Sequence, residues 1–474
     1  MTASVTSPTP ASAAPSCAVR PPTALIDAST RWPVLLMASA SVKWLVIALA
    51  AGFISFLKLH ATGFLAGVPA LTYGRMVALQ DAVFIYGFAS QAAMAIALWL
   101  ICRLGGTELV GRAVVVIAML FWNLGVLVGA LGILAGDLSP FTHFQFPHNA
   151  MPILFLSYCL YAICAFLTFA ARRECTMYPS LWFVLAGLVF FPWVFASASM
   201  NLWVLTARGS VLPVIAAWAA NNIVTVWLGS IALAAIYYFI PKISGKTLYS
   251  YGLAVFAFWL YILFGQSTGM HATAAFPSWI VGLSELCTIL MILPALANAM
   301  NWFNTLRGYK RDDDIAFKFV WWGAALYLIG SIIDAIAAFR PANVFLEFTL
   351  FQAGLSSLVL LGFVTLTFFG AFAYIIPRVA DLNWSNPMRT HYLLTLGGAL
   401  LVVISLLLAG LIQAGKAADS GTEYVAVVRS GIMPAGLAII GFLMLLAGQF
   451  SWLWNIRGIC FRCCCPGSVE GGRR

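Results

Sequence analysis

Charge is the first thing this chain lacks. Only 8% of its residues are Asp, Glu, Lys or Arg, against 62% hydrophobic. That balance excludes a soluble domain and identifies an integral membrane protein, because only helices and closed barrels satisfy the backbone in lipid. The short alternating strands of a barrel are also missing. There is no phosphate-binding glycine loop, no dinucleotide fingerprint, no HExxH and no GxSxG in a usable setting, so nucleotide and hydrolase chemistry have no support. The first thirty residues, rich in Ser, Thr, Ala and Pro, have no apolar core of a signal peptide. Histidine is scarce: five in all, His60, His143, His148, His271 and His391, with none expected at the middle of a span.

What is present is a series of apolar runs. At the usual ~20 residues per span, about twelve transmembrane helices are expected, near 33–57, 76–102, 112–136, 149–171, 179–205, 212–240, 249–268, 279–301, 315–339, 350–377, 391–413 and 430–456. The fold expected is an all-α bundle: a flexible cytoplasmic tail over 1–30, one membrane domain over 31–456, and a Cys/Arg-rich cytoplasmic tail over 457–474. Lys and Arg gather on the N-terminal side of this map by roughly three to one, which puts both termini in the cytoplasm of a multi-pass, bacterial-type inner membrane protein. The net charge of +10 therefore reflects topology. No basic–aromatic pattern points to nucleic acid, and the first partner implied is the lipid bilayer.

The ten cysteines do not read as a disulfide framework. Cys102, Cys159, Cys164 and Cys287 fall in or near spans, where a free thiol behaves as a small apolar group. The run CFRCCC places Cys460, Cys463, Cys464 and Cys465 on the reducing side. Adjacent cysteines suit a tetrahedral metal site poorly, so reduced thiols are expected there. His143 and His148, in the loop GDLSPFTHFQFPHNAMP, are read as loop-packing residues and not as metal ligands.

The informative residues are the polar ones inside spans, which are costly in lipid and often functional. Gln80 and Asp81 stand together in YGRMVALQDAVFIYGFAS, Tyr73 to Ser90, and are read as bonding neighbouring helices or filling a cavity. Gln91, Asn123, Asn201, Asn221, Asn222, Gln266, Asn298 and Gln352 fit interhelical hydrogen bonding, worth about 1 kcal/mol or less per pair. Asp81, Glu285 and Asp334 are candidates for an intramembrane polar path, since a buried carboxylate must pair, protonate or face water.

Several stretches resemble subunit I of the heme–copper oxidase superfamily, most of all its cbb₃-type cytochrome c oxidase branch. AAIYYFIPKISGKTLYSYGLAVFAFW, Ala234 to Trp259, is similar to the family's link between its sixth and seventh helices, with Tyr-Tyr-Phe-Ile-Pro-Lys its most specific piece. TYGRMVALQDAVFIYGF resembles the second helix, YPSLWFVLAGLVFFPWVF the fifth, and GAFAYIIPR the end of the tenth. The resemblance covers roughly residues 25 to 460. It implies six histidines: one on helix two and one on helix ten for a low-spin heme, a second on helix ten for a high-spin heme, and one on helix six with an adjacent pair on helix seven for copper. These metals need strong nitrogen donors at fixed geometry.

Carried onto this chain, the heme-ligand positions fall on Gln80, Leu355 and Ser357, and the copper-ligand positions on Asn221, His271 and Ala272. The tyrosine beside the copper falls on Gly265. No histidine lies between His271 and His391, so helix ten offers none in any register. Heme and copper are what the family implies, but no cofactor, metal site or catalytic residue is assigned here. The function expected is a ligand-depleted, non-catalytic subunit of a respiratory or electron-transfer complex, joined to a cytochrome c-bearing or other respiratory subunit. Two alternatives stand beside it. One is an active cytochrome c oxidase or nitric oxide reductase-type enzyme with unusual ligation, which leaves open whether the chain is an oxidoreductase. The other is a proton or ion transporter using Asp81, Glu285 and Asp334.

Overall fold

A computed structural model describes residues 21–205, 207–270, 276–310, 314–384 and 388–464. Its main helices are α1 (Thr23–His60), α2 (Tyr73–Gly105), α3 (Arg112–Ala135), α4 (Ala150–Ala170), α5 (Pro179–Val204), α6 (Val211–Ser244), α7 (Tyr251–Gly265), α8 (Ser278–Thr305), α9 (Ile315–Ala337), α10 (Leu350–Ala380), α11 (Arg389–Ala417) and α12 (Tyr424–Ile459). Eleven are long and apolar enough to cross a membrane, and α7, at 15 residues, is shorter. The bundle is all-α and follows the expected order of spans.

Three helices form the interior. The most apolar stretch of α2 is 100% buried, that of α6 89% and that of α10 83%, while no other long helix exceeds 56%. These three carry Gln80, Asn221 and the Leu355–Ser357 pair. Each also departs from regular α geometry shortly after those positions, with π-helical segments at Val83–Ala89, Ile223–Gly229 and Leu358–Thr365. A π-turn widens the helix by one residue per turn and is frequent at functional sites.

Helix ends follow local chemistry. The side chains of Ser250, Asp314 and Thr349 accept from backbone N–H groups in the first turns of α7, α9 and α10. The expected span 249–268 stops early, at Gly265, because α6 takes the carbonyls at its end: Asn221 Nδ2 donates to Gly265 O (2.9 Å) and Asn222 Nδ2 to Gln266 O (3.0 Å). Gly269, at φ +75°, then turns the chain away.

Two further boundaries differ from expectation. Residues 23–30, read as tail from their composition, are helical, with Ile26, Ser29 and Thr30 buried. They are held because Asp27 accepts from Trp99 Nε1 (3.0 Å) and pairs with Arg103 (3.1 Å) on α2. At the other end the last helix continues to Cys464, past the expected boundary at 456. Cys465 lies outside the described residues, as do the side chains of Cys460, Cys463 and Cys464.

Most of the intramembrane amides knit helices together. Gln91 and Asn123 exchange hydrogen bonds between α2 and α3 (3.0 and 3.2 Å), and Trp44 Nε1 on α1 donates to Asn123 Oδ1 (2.7 Å). Tyr237 on α6 donates to Asn298 Oδ1 on α8 (2.6 Å). Small residues bring other pairs close: a Cβ on Gly398 of α11 would meet the Gly441 carbonyl of α12 at 2.8 Å. Gly410 of α11 packs against the backbone of Phe351 on α10, where even a methyl group collides. Gly410→Ala is therefore expected to destabilise the detergent-solubilised protein by about 1–3 kcal/mol, read as a lowered thermal midpoint. Gly415→Ala, with open space around it in the same helix, should hold or raise the midpoint.

Candidate functional site

A cavity of about 390 Å³ lies among α6, α9 and α10. Three helical stripes build its wall. On α6, Ala217, Ala220, Asn221, Val224 and Thr225 recur at three- and four-residue intervals; so do Leu326, Tyr327, Gly330, Ser331 and Asp334 on α9, and Gln352, Leu355, Ser356, Val359, Leu360 and Phe363 on α10. Gly229 of α6, Tyr261 of α7, Thr268 and Gly269 after it, Met291 of α8, and Thr142 and His143 of the α3–α4 connection complete the lining. The cavity thus contains Asn221, Leu355 and Asp334 from the sequence analysis. Ser357, one residue past the stripe, is not on its wall.

Asn221 is the most connected of these. Its Nδ2 donates to Gly265 O, and its Oδ1 accepts from Thr225 Oγ1 (3.1 Å) and Thr268 Oγ1 (3.0 Å). Both ends of the amide are committed to protein partners. Gly265, where the resemblance would place a tyrosine, packs close to Thr225. The α7 region still supplies a phenol, since Tyr261 lines the cavity and donates to Thr225 O (2.6 Å). His271 and Ala272 lie outside the described residues.

Gln80 sits away from this cavity. It is half-buried on α2 and lies against Gly52 of α1 beside Phe442 of α12. Deeper along α2, Phe88 stacks on Phe369 of α10 (5.8 Å between centroids), and Phe369 meets the His391 ring at 4.7 Å. His391 is fully buried, with Nδ1 3.0 Å from Gly448 O. The interior between α2, α10 and α11 is packed with aromatic rings at this level.

Asp81 takes a role the sequence did not reveal. It accepts from the backbone N–H of His143 (3.0 Å), lies 2.8 Å from His143 Nδ1, and accepts from Gln145 Nε2. The carboxylate pins the α3–α4 connection over α2, and His143 is held at φ +61°. His143 thus packs as a loop residue. Partners 62 positions apart leave no local signal; a polar residue at the head of an apolar helix was the one available hint. The three path candidates are not brought together. Asp334 faces the cavity, Asp81 is held by the loop, and Glu285 is half-buried on α8 outside the cavity wall.

At one end of the cavity Gln352 Nε2 donates to Glu347 (3.1 Å), just before α10. Burial pushes the Glu347 carboxyl up to about 7, and the negative Asp334 raises it further still within that shift. Among the described residues no three His, Cys, Asp or Glu side chains gather as metal ligands.

The chain matches the family described as Cytochrome C and Quinol oxidase polypeptide I over residues 33–429. It is 23% identical to the Cbb3-type cytochrome c oxidase subunit CcoN1 of Stutzerimonas stutzeri over 359 residues, covering 73% of this chain and 76% of that one. It is 24% identical to a cytochrome c oxidase subunit 1 homolog of Azorhizobium caulinodans over 430 residues, 85% of this chain and 77% of that one. Its fold is similar to that in a cryo-EM structure of a heme-copper terminal oxidase dimer, with TM-score 0.69 at 15% identity, covering 91% of this chain and 84% of that one.

Two outcomes follow from the site. Asp81→Asn should lower the thermal midpoint, at a cost of about 1–3 kcal/mol for the weakened charged hydrogen bonds, and expose the 137–149 connection to protease. An unchanged midpoint and cleavage pattern would refute the pinning role. For Glu347, a folded-state pKa of about 7 against an ordinary 4.5 means the folded protein holds the proton longer than the unfolded chain. Its contribution to stability is full below about pH 4.5 and falls as pH rises through about 7. Glu347→Gln should therefore flatten the fall of the thermal midpoint between those two values.

Proposed function

This chain belongs to the cytochrome c and quinol oxidase polypeptide I family, and we propose that it keeps the family's membrane scaffold without its metal chemistry, serving as a non-catalytic subunit of a respiratory or electron-transfer complex. The observation that carries this reading is Asn221. It stands where the resemblance places a copper imidazole, and its amide is used at both ends by Gly265, Thr225 and Thr268. A carboxamide is in any case a poor substitute for imidazole toward copper or iron.

The residues around it fit the group no better. Leu355 offers no donor atom, and the Ser357 hydroxyl is a weak one that does not reach the cavity. Gln80 rests against α1. His143 is the one imidazole on the described cavity wall, and its Nδ1 is taken by Asp81. Among the described residues this donor set does not suit the hemes and copper of the family, so no redox step is assigned to the chain. The π-helical segments after Gln80, Asn221 and Ser357 lie on three of the four helices that would carry ligands, with a further one at Met200–Val204 of α5, and they support descent from a metal-binding scaffold.

As a subunit of this kind the protein sits in the bacterial inner membrane with both termini cytoplasmic, beside a cytochrome-bearing partner. The carboxylates favour no transporter reading, since Asp81, Glu285 and Asp334 do not line one path.

The test is a reduced-minus-oxidised spectrum with heme extraction on detergent-purified protein. The expected result is no stoichiometric heme and no bound copper, with heme appearing only when a cytochrome-bearing partner co-purifies. One or two hemes per isolated chain would overturn the reading and restore the active-enzyme alternative.

A further inference from the structure

The cavity that remains has a chemical bias of its own. Most donors on its wall are turned away from the cavity to protein acceptors. Asn221 Nδ2 goes to Gly265 O, the Thr225 and Thr268 hydroxyls to Asn221 Oδ1, and Tyr261 to Thr225 O. Ser331 donates to Tyr327 O (2.9 Å), and Gln352 Nε2 to Glu347. The hydroxyls left over include those of Thr142 and Ser356, which are exposed at the rim. What faces inward is rich in oxygen lone pairs.

Asp334 sets the sign of that bias. It lies on the cavity wall, and no described residue donates a hydrogen bond to its carboxylate. No described lysine or arginine pairs with it or with the neighbouring Glu347. Such a carboxylate calls for a cation or for a ligand that brings donors. The other half of the cavity is apolar. Because α9 and α10 run antiparallel, Asp334 and Gln352 share one end. Leu326, Leu360 and Phe363 sit toward the other, with Val224, Leu355 and Val359 between. The Tyr327 and Phe363 rings, 4.9 Å apart between centroids, add aromatic surface.

Size narrows the class. About 390 Å³ is far more than a bare metal ion fills and lies in the range of small-molecule pockets, roughly 300–1,000 Å³. We propose that this cavity binds a small amphipathic organic ammonium ion, its charged nitrogen on Asp334 and Gln352 and its apolar body between α6, α9 and α10. The site rests on the metal-free reading above, since a heme in the same place would occupy it.

The test uses the full-length protein in detergent, with 2-phenylethylammonium, neutral 2-phenylethanol and anionic 3-phenylpropionate titrated by isothermal calorimetry. The ammonium should bind saturably at one site per chain, at least tenfold tighter than the alcohol, with no binding of the carboxylate. Asp334→Asn should remove that tenfold preference and leave alcohol binding as it was. Leu355→Trp, midway along the cavity on α10, should abolish binding of both. The comparison of the three probes needs no variant, so it holds even if Asp334→Asn fails to fold. Equal affinity for all three probes, or binding of none by heme-free protein, overturns the proposal. So does an ammonium affinity indifferent to both substitutions. Heme assayed in the same preparation separates the two readings: heme-free protein that binds no ammonium defeats the cavity site alone, and heme-loaded protein defeats the scaffold reading beneath it.

Discussion

A polar atom in the lipid interior has only the partners the protein gives it, and the Asn221 amide shows how far that constraint reaches. By donating to Gly265 O and accepting from Thr225 and Thr268, it ends α7, fixes the turn at Gly269 and closes one wall of the cavity. Asn222 repeats the device one residue on, donating to Gln266 O. An imidazole at position 221, directed at a metal, could not make this set of bonds. On the reading proposed above, the residue that stands at a copper position also supplies the hydrogen bonds that keep α6 and α7 together.

The same constraint explains the aromatic interior between α2, α10 and α11. Phe88, Phe369 and the buried His391 ring pack face and edge against one another, filling volume with surfaces that need few hydrogen bonds. His391 meets its need through Gly448 O. The cavity among α6, α9 and α10 is the contrasting solution. There the volume stays open and polar atoms line it, with Asp334 left to an external partner.

Much of this was legible in the sequence. Long apolar runs gave the helices, and the similarity of Tyr73–Phe88 and Ala234–Trp259 to a known family gave their order. The amides at positions 91, 123 and 298 read correctly as interhelical bonds. The stripe Leu326, Tyr327, Gly330, Ser331, Asp334 carries the cavity wall at helical spacing. What stayed hidden depended on distant partners. The tail composition of residues 23–30 concealed a helix because the groups that hold Asp27 lie on α2, at Trp99 and Arg103. Asp81 read as a bond to a neighbouring helix or as part of an intramembrane path, because its partner His143 comes from a loop two connections later. Local pattern reports which face of a helix is apolar; it does not report which loop will fold over its end.

The shortness of α7 has a consequence for the membrane around the protein. Fifteen residues rise about 22 Å at 1.5 Å per residue, against a hydrocarbon layer of about 30 Å. Phe256, Trp259 and Leu263 on this helix are exposed, so α7 meets lipid directly. A span this short is accommodated by local thinning of the leaflet, by snorkelling of its flanking residues or by association with a neighbour. The cost of the mismatch falls on this one flank, so acyl-chain length matters on the α7 side more than around the rest of the bundle.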